Sequence, residues 1–321
     1  MPLNRLFGWR FDPAGIEAAV KRHGRFADRA RHVVRDYERK DTFLSDDIVW
    51  CAPDWERGAQ GIGDCASWGT ELACTALIAQ MARKRRNKRL FIPAATEDKY
   101  GLARVEVQGK THDDWQDGAT GFHMSEAVTK FGCLQRIDYS AITGNPDHDL
   151  RVYDKERAKN WGYYGCGGQN DKGKLDEIAR EHPVRDKAQV KSWEDVAAAI
   201  AGSRTPVIIA SDYGTDMKRD QYGYCHWKDT WMHLMCILDV RFGKYPGARI
   251  FQSWGPRAVT GPSGDEYCDR PTPSTAGILG TSWWAPPKDV TKICAKWGDC
   301  WAFSPIEGFE IPAVDAGGGW A

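Results

Sequence analysis

The chain has no apolar run that could cross a bilayer: Leu234 to Leu238, like every other, falls far short of the ~20 residues a spanning helix needs. The N-terminus, Met-Pro-Leu-Asn-Arg-Leu-Phe-Gly-Trp-Arg, lacks the apolar h-region of a secretory signal, which reads as a soluble protein made without secretion. Net charge is missing as well. Forty-four basic and 44 acidic residues cancel, so nothing favours a polyanion or a membrane surface, and nucleic acid is not an expected partner. There is no Cys-x-x-Cys and no paired Cys/His knuckle, so the ten cysteines do not read as a structural zinc site. Without a signal peptide, disulfides are not the default. Nine of the ten read most simply as small packed or surface thiols. Internal repeats and low-complexity tracts are absent too.

What is present is enough chain, at 321 residues, for one large domain or two sub-domains sharing an interface. Fifteen tryptophans read as anchors of a core or an interface. The stretch that organises the rest is residues 58–74, where glycines at 58, 61 and 63 lead into Asp64-Cys65 and a small-residue helical pattern running to about Met81. Asp64 is placed as an N-cap. Cys65 then stands at a helix start, where the helix dipole favours the nucleophilic thiolate.

Ahead of this, Asp12-Pro13 opens an amphipathic, basic arm over 12–40, whose Arg and His residues face solvent, dock a partner or belong to a pro-segment. The cations of 83–89 suit a helix C-terminus. Helical patterns continue around a Gly-rich turn at 117–121, through Met124 to Phe131, and over 151–202, where Ser192 and Asp195 start a helix in capping-box style. The character then changes. Pro206 to Ser211, Leu234 to Val240, Arg249 to Gly255, Trp283-Trp284 and Cys300 to Ser304 are short β-type runs. Helices followed by strands imply an α+β protein with two lobes. The expected divisions are an arm over 1–50, a helical lobe over 51–200, a β lobe over 201–310 and a tail over 311–321.

A cysteine nucleophile needs a base, a group to orient that base, and donors for the oxyanion. His233 is the histidine that leads directly into an apolar strand; His226, in a polar loop, is its rival, while His112 and His123 read as structural or solvated. Gln252-Ser-Trp-Gly ends a later strand. Taken in order, Gln60-Gly…Cys65-Ala-Ser-Trp, Gly121-Phe-His-Met, Pro206-Val-Ile-Ile-Ala, His233 and Ser253-Trp254-Gly255 resemble a papain-like cysteine peptidase over roughly residues 51–310. Tyr100 to Val107, Ser282 to Pro286 and Phe303 to Phe309 are most similar to the phage and bacterial branch.

The resemblance implies a papain-like two-lobed α+β fold, with a central helix starting at Cys65 and an antiparallel β-barrel-like right lobe. It makes Cys65 the nucleophile, His233 the imidazole, Gln60 the oxyanion-hole amide and Gln252 the orienter of His233, standing where the family has asparagine. Trp254 shields that hydrogen bond, Ile209, Ala210 and Ser211 line a specificity pocket, and Gly121 touches the substrate backbone. It implies no metal or organic cofactor, and a peptide or protein substrate.

The chain departs from the family in three ways. Only five positions separate Gln60 from Cys65, one fewer than usual; Asp64 sets an anion beside the thiol; and Trp68 falls two positions late. The expected function is hydrolysis of peptide or isopeptide bonds. A weakly active or inactive structural component of a larger assembly such as a phage particle, reached through the 12–40 arm, is the alternative; a peptidoglycan amidase is the second. The expected location is the cytoplasm or a virion.

Overall fold

The computed structural model describes residues 8–30, 37–113, 116–169, 173–268 and 277–304; the expected tail at 311–321 lies outside them. Asp12 and Pro13 do start a helix, α1 (Pro13–His23), with the Asp12 side chain accepting from the Gly15 N–H. It stops at Gly24, and a short helical turn, Phe26–Arg29, follows it; residues 31–36 of the expected arm lie outside the described residues. Ile16, Ala19 and Phe26 are buried. His23 meets Glu126 at 2.9 Å and Arg29 pairs with Asp186, so part of the basic face docks on the protein itself. Lys21 and Arg22 stay in solvent.

Helix α2 (Ser45–Cys51) precedes the central helix α3 (Cys65–Lys84). Every residue of α3 from Cys65 to Ala79 is buried, as small side chains on all faces permit. Gly69 shows why they are small. A Cβ there would lie 2.4 Å from a Leu234 methyl and 3.2 Å from the Met235 backbone, so glycine lets the helix seat directly on a strand. Arg83 and Lys84 close the last turn, and Arg83 reaches Asp47 on α2 at 2.9 Å, in line with the expected basic C-terminus. Asp64 occupies the N-cap position, but its side chain does not cap. Its carbonyl accepts from the Ser67 and Trp68 N–H groups, while its carboxylate turns towards Trp68 and Tyr153.

Glu97–Gly101 continues into a π-helical turn, Leu102–Val107. Helix α4 (Gly121–Lys130) starts three residues earlier than expected because the Thr120 hydroxyl caps it, accepting from the His123 N–H at 2.8 Å. Helix α5 (Lys155–Tyr164) follows, and Ser192 caps the short helix Trp193–Ala197 as its spacing requires.

Among the described residues the strands are β1 (Thr42–Phe43), β2 (Lys187–Gln189), β3 (Val207–Thr215), β4 (Trp227–Arg241), β5 (Gly247–Phe251), β6 (Ser282–Ala285) and β7 (Cys300–Phe303). All pairs are antiparallel, in the order β2-β7-β3-β4-β5-β6, with β1 on β4. The barrel-like expectation is corrected here: β2 and β6 do not pair and the sheet stays open. Its apolar surface is covered by helices instead of by closure, with α3 against β4 and β3, and α6 (Pro287–Trp297) against β3. Helix α6 lies in a stretch whose sequence did not announce it, and β2 corrects the helical reading of 151–202. β2 is only three residues long and takes its conformation from β7. Among the described residues no helix is long and apolar enough to cross a membrane.

One buried ion pair ties the loop before Cys65 to the core. Arg57, 3 % exposed, donates through Nε and Nη2 to Glu71 Oε2 on α3 at 3.0 and 2.8 Å, and through Nη1 to the Gln252 carbonyl at 3.3 Å. Its guanidinium also covers the Trp68 ring. Removing one partner strands the other charge in the interior, so Glu71→Ala is expected to cost about 3–5 kcal/mol of unfolding free energy. Urea unfolding monitored by tryptophan fluorescence checks this.

Candidate active site

The segments singled out in the sequence converge at the N-terminus of α3. The Leu234 N–H on β4 donates to Cys65 Sγ at 3.4 Å, which sets the thiol against the residue that follows His233. His233 is fixed by the ladder, paired with Ser211 on β3, and Ile209 and Ala210 pair with Met235 and Leu234 beside it. Trp254 stacks on the imidazole with ring centroids 4.3 Å apart. Gln60 is fastened to the strand end that carries Gln252: its N–H donates to the Ser253 carbonyl at 2.8 Å, and Ser253 Oγ donates to its Oε1. The rivals of His233 are engaged elsewhere. His226 is exposed and bonds Asp220, His123 bonds Thr120, and His112 stacks on Tyr164.

The amides are occupied differently from the family pattern. Gln252 Nε2 donates to the Gly255 carbonyl and its Oε1 accepts from the Trp254 N–H, closing its own turn. Gln60 Nε2 donates to the Ile62 carbonyl at 2.9 Å. Neither nitrogen of His233 has a hydrogen-bond partner among the described residues. The Gly121 N–H is taken by Asp299.

Cys65 and His233 are both fully buried, and burial sets their charge. It pushes the Cys65 thiol up to about 12, against the opposing pull of N–H groups from Leu234 and Gly8. It pushes the His233 imidazole down to about 3, helped by the Arg57 cation. Burial also raises Asp64 to about 8, although the Tyr153 hydroxyl and the Trp68 indole N–H donate to its carboxylate at 2.8 and 3.2 Å. Lost solvation is thus the main cause of the raised thiol pKa, ahead of the Asp64 charge. The resting pair is a neutral thiol and a neutral imidazole.

What seals the site is a segment of the chain itself. The Gly8 N–H donates to Cys65 Sγ at 3.2 Å. On one side Gly8 and Arg10 pair with Ala119 (Ala119 N–H to Gly8 O, 2.8 Å; Arg10 N–H to Ala119 O, 3.0 Å); on the other the Trp9 N–H reaches the Met232 carbonyl at 3.3 Å. Arg10 is held by the Asp117 carbonyl and Gln116. Gly8 fits because it has no side chain: a Cβ would lie 1.7 Å from the Gly63 carbonyl oxygen. Sequence reasoning missed residues 8–10, Ala119, Asp299 and the Arg57–Glu71 pair. No local pattern marks them, since each acts through contacts far along the chain.

No protein-family model and no curated protein matches the sequence. Solved structures do. Xylellain, a cysteine protease from Xylella fastidiosa, superposes with a TM-score of 0.56 at 12 % identity over 94 % of this chain and 96 % of its own. The fold is that of the papain-like cysteine proteases. Procathepsin B from Trypanosoma congolense matches at TM-score 0.49 and 8 % identity, over 96 % of this chain and 85 % of its own. The ragweed pollen allergen Amb a 11 in its proform matches at TM-score 0.49 and 12 % identity, over 94 % of this chain and 74 % of its own.

Proposed function

We propose that the chain is a papain-like thiol peptidase held in a closed, latent state by its own residues 8–10. The observation that carries this reading is the contact of the Leu234 N–H with Cys65 Sγ, which brings a helix-start cysteine to the strand residue next to His233, with Gln60 fastened to the neighbouring Ser253. In the open state water returns to the cleft, the thiol pKa falls and the imidazole pKa rises, so the pair can exchange its proton. Cys65 Sγ then attacks the scissile carbonyl carbon and His233 carries the thiol proton to the leaving amine. The Cys65 N–H and the Gln60 amide support the oxyanion, which requires Gln60 to turn from Ile62. Water, deprotonated by His233, releases the acid from the thioester. Peptide and isopeptide bonds share this chemistry. For Gln252 we assign an orienting role only after its amide leaves the 252–255 turn.

The second reading is a structural component that keeps the fold without turnover, favoured by the sealed neutral pair. An epoxysuccinyl probe separates the two. In the closed chain, Cys51 and Cys268, the partly exposed thiols, react first. Once the 8–10 segment is displaced, a peptidase is expected to label at Cys65 at least about tenfold faster than at any other cysteine. Equal rates at all ten would leave only the structural reading.

A further inference from the structure

Trp9 is 3 % exposed, and its indole N–H donates to Asp299 Oδ2 at 2.8 Å. Its ring lies edge-on to Trp297, with centroids 6.2 Å apart. Asp299 is itself fully buried at the start of β7, next to Cys300, which pairs with Ile209 on the expected pocket wall. Its carboxylate also accepts from the Gly121, Phe122 and Trp301 N–H groups at 2.6, 2.7 and 3.0 Å, so it is held from several sides and cannot swing away. The backbone around Trp9 is gripped by Ala119 on one side and Met232 on the other, a main-chain clamp indifferent to side chain. The clamp holds residues 8–10 by their main chain, and the pocket takes one side chain of the segment, Trp9.

We propose that this pocket is a substrate subsite selective for tryptophan, with Asp299 as the residue that determines the preference; the proposal rests on the peptidase reading and extends it to substrate class. When the 8–10 segment leaves, Asp299 Oδ2 keeps the Gly121 N–H and loses its second donor, the indole. A phenylalanine ring fills the space but returns no N–H, so one buried lone pair of the carboxylate stays unfilled, which is costly. An indole supplies both the flat ring that Trp297 receives and the second donor to Asp299 Oδ2. The same chemistry makes residues 8–10 a good self-ligand: Trp9 holds the cleft shut by the contacts a substrate would use.

The test uses the full-length Gly8→Val chain, whose own segment no longer fits, and hexapeptides of sequence Leu-Phe-Gly-Trp-Arg-Phe, taken from residues 6–11. Protection of Cys65 from iodoacetamide reads binding with no need for turnover. The tryptophan peptide is expected to protect at about tenfold lower concentration than its phenylalanine or 1-methyltryptophan counterparts. Asp299→Asn is expected to shrink that ratio towards one while changing protection by the phenylalanine peptide less. Should Asp299→Asn fail to fold, the 1-methyltryptophan comparison on unaltered Asp299 decides alone. Equal protection by all three peptides, or stronger protection by an arginine peptide, overturns the proposal. Protection in the expected order without turnover of any peptide would retain the subsite and remove the peptidase.

Discussion

Full-length protein carrying Gly8→Val is expected to alkylate at Cys65 roughly 5- to 150-fold faster than the unaltered chain, from the ~1–3 kcal/mol that overpacking costs. The side chain would collide with the Gly63 carbonyl, which α3 and its preceding loop hold rigidly, so the 8–10 segment must move out. Relief of burial then lets the thiol ionise, adding to the gain in access. Iodoacetamide kinetics with mass-spectrometric readout of each cysteine measure this, and unchanged labelling would mean that the segment does not gate the site. Acid should act in the same direction. His233 is held down to about 3 in the closed state against an ordinary value near 6.5, so between these limits the closed state binds fewer protons than an open one. Its contribution to closure is complete above pH ~6.5 and is lost as pH falls through that window. Hydrogen exchange at the Gly8 and Trp9 amides, corrected for intrinsic rates, should therefore be less protected at pH 5 than at pH 7.5.

On the Gly8→Val background, Cys65→Ala and His233→Ala are each expected to lower kcat/KM for a tryptophan-containing peptide by about 10⁵-fold or more. The double variant should be little worse, because nucleophile and base act as a unit and removing either disables the proton transfer. Additive losses would indicate that the two side chains serve separate purposes. The expectation follows from position: Cys65 heads a buried helix, and the thiol bonds the amide that follows His233. Both residues sit on rigid elements packed through Gly69, and since neither His233 nitrogen is bonded in the closed chain, opening the cleft must turn the imidazole to the thiol.

Much of this could be read from local chemistry. Asp12-Pro13 and Ser192 cap helices because a cap needs only a side-chain oxygen a few residues from an N–H. The small-residue pattern from Cys65 to about Met81 announced a helix, which proves to be buried on all sides to Ala79, and the apolar runs at 207, 234, 249, 282 and 300 became strands. The order Gln60, Cys65, His233, Ser253-Trp254 was visible through the resemblance to papain-like peptidases, each motif lying in or beside a recognisable element. Asp64 shows the limit. Its position at the helix start was legible, but its carboxylate answers to Tyr153, 89 positions away.

By itself, then, the sequence determined most of the elements and the α+β class, and through its resemblance the chain order of the cleft residues. Tertiary structure decided that the sheet stays open, that Gln60 and Gln252 spend their amides on neighbouring carbonyls, and that burial leaves the thiol and imidazole neutral. It also decided what occupies the site. Gly8 meets Cys65 across 57 positions and Trp9 meets Asp299 across 290. Periodicity and capping carry information over a turn or two of chain, whereas these contacts exist only once packing has brought distant backbone together and removed the water between.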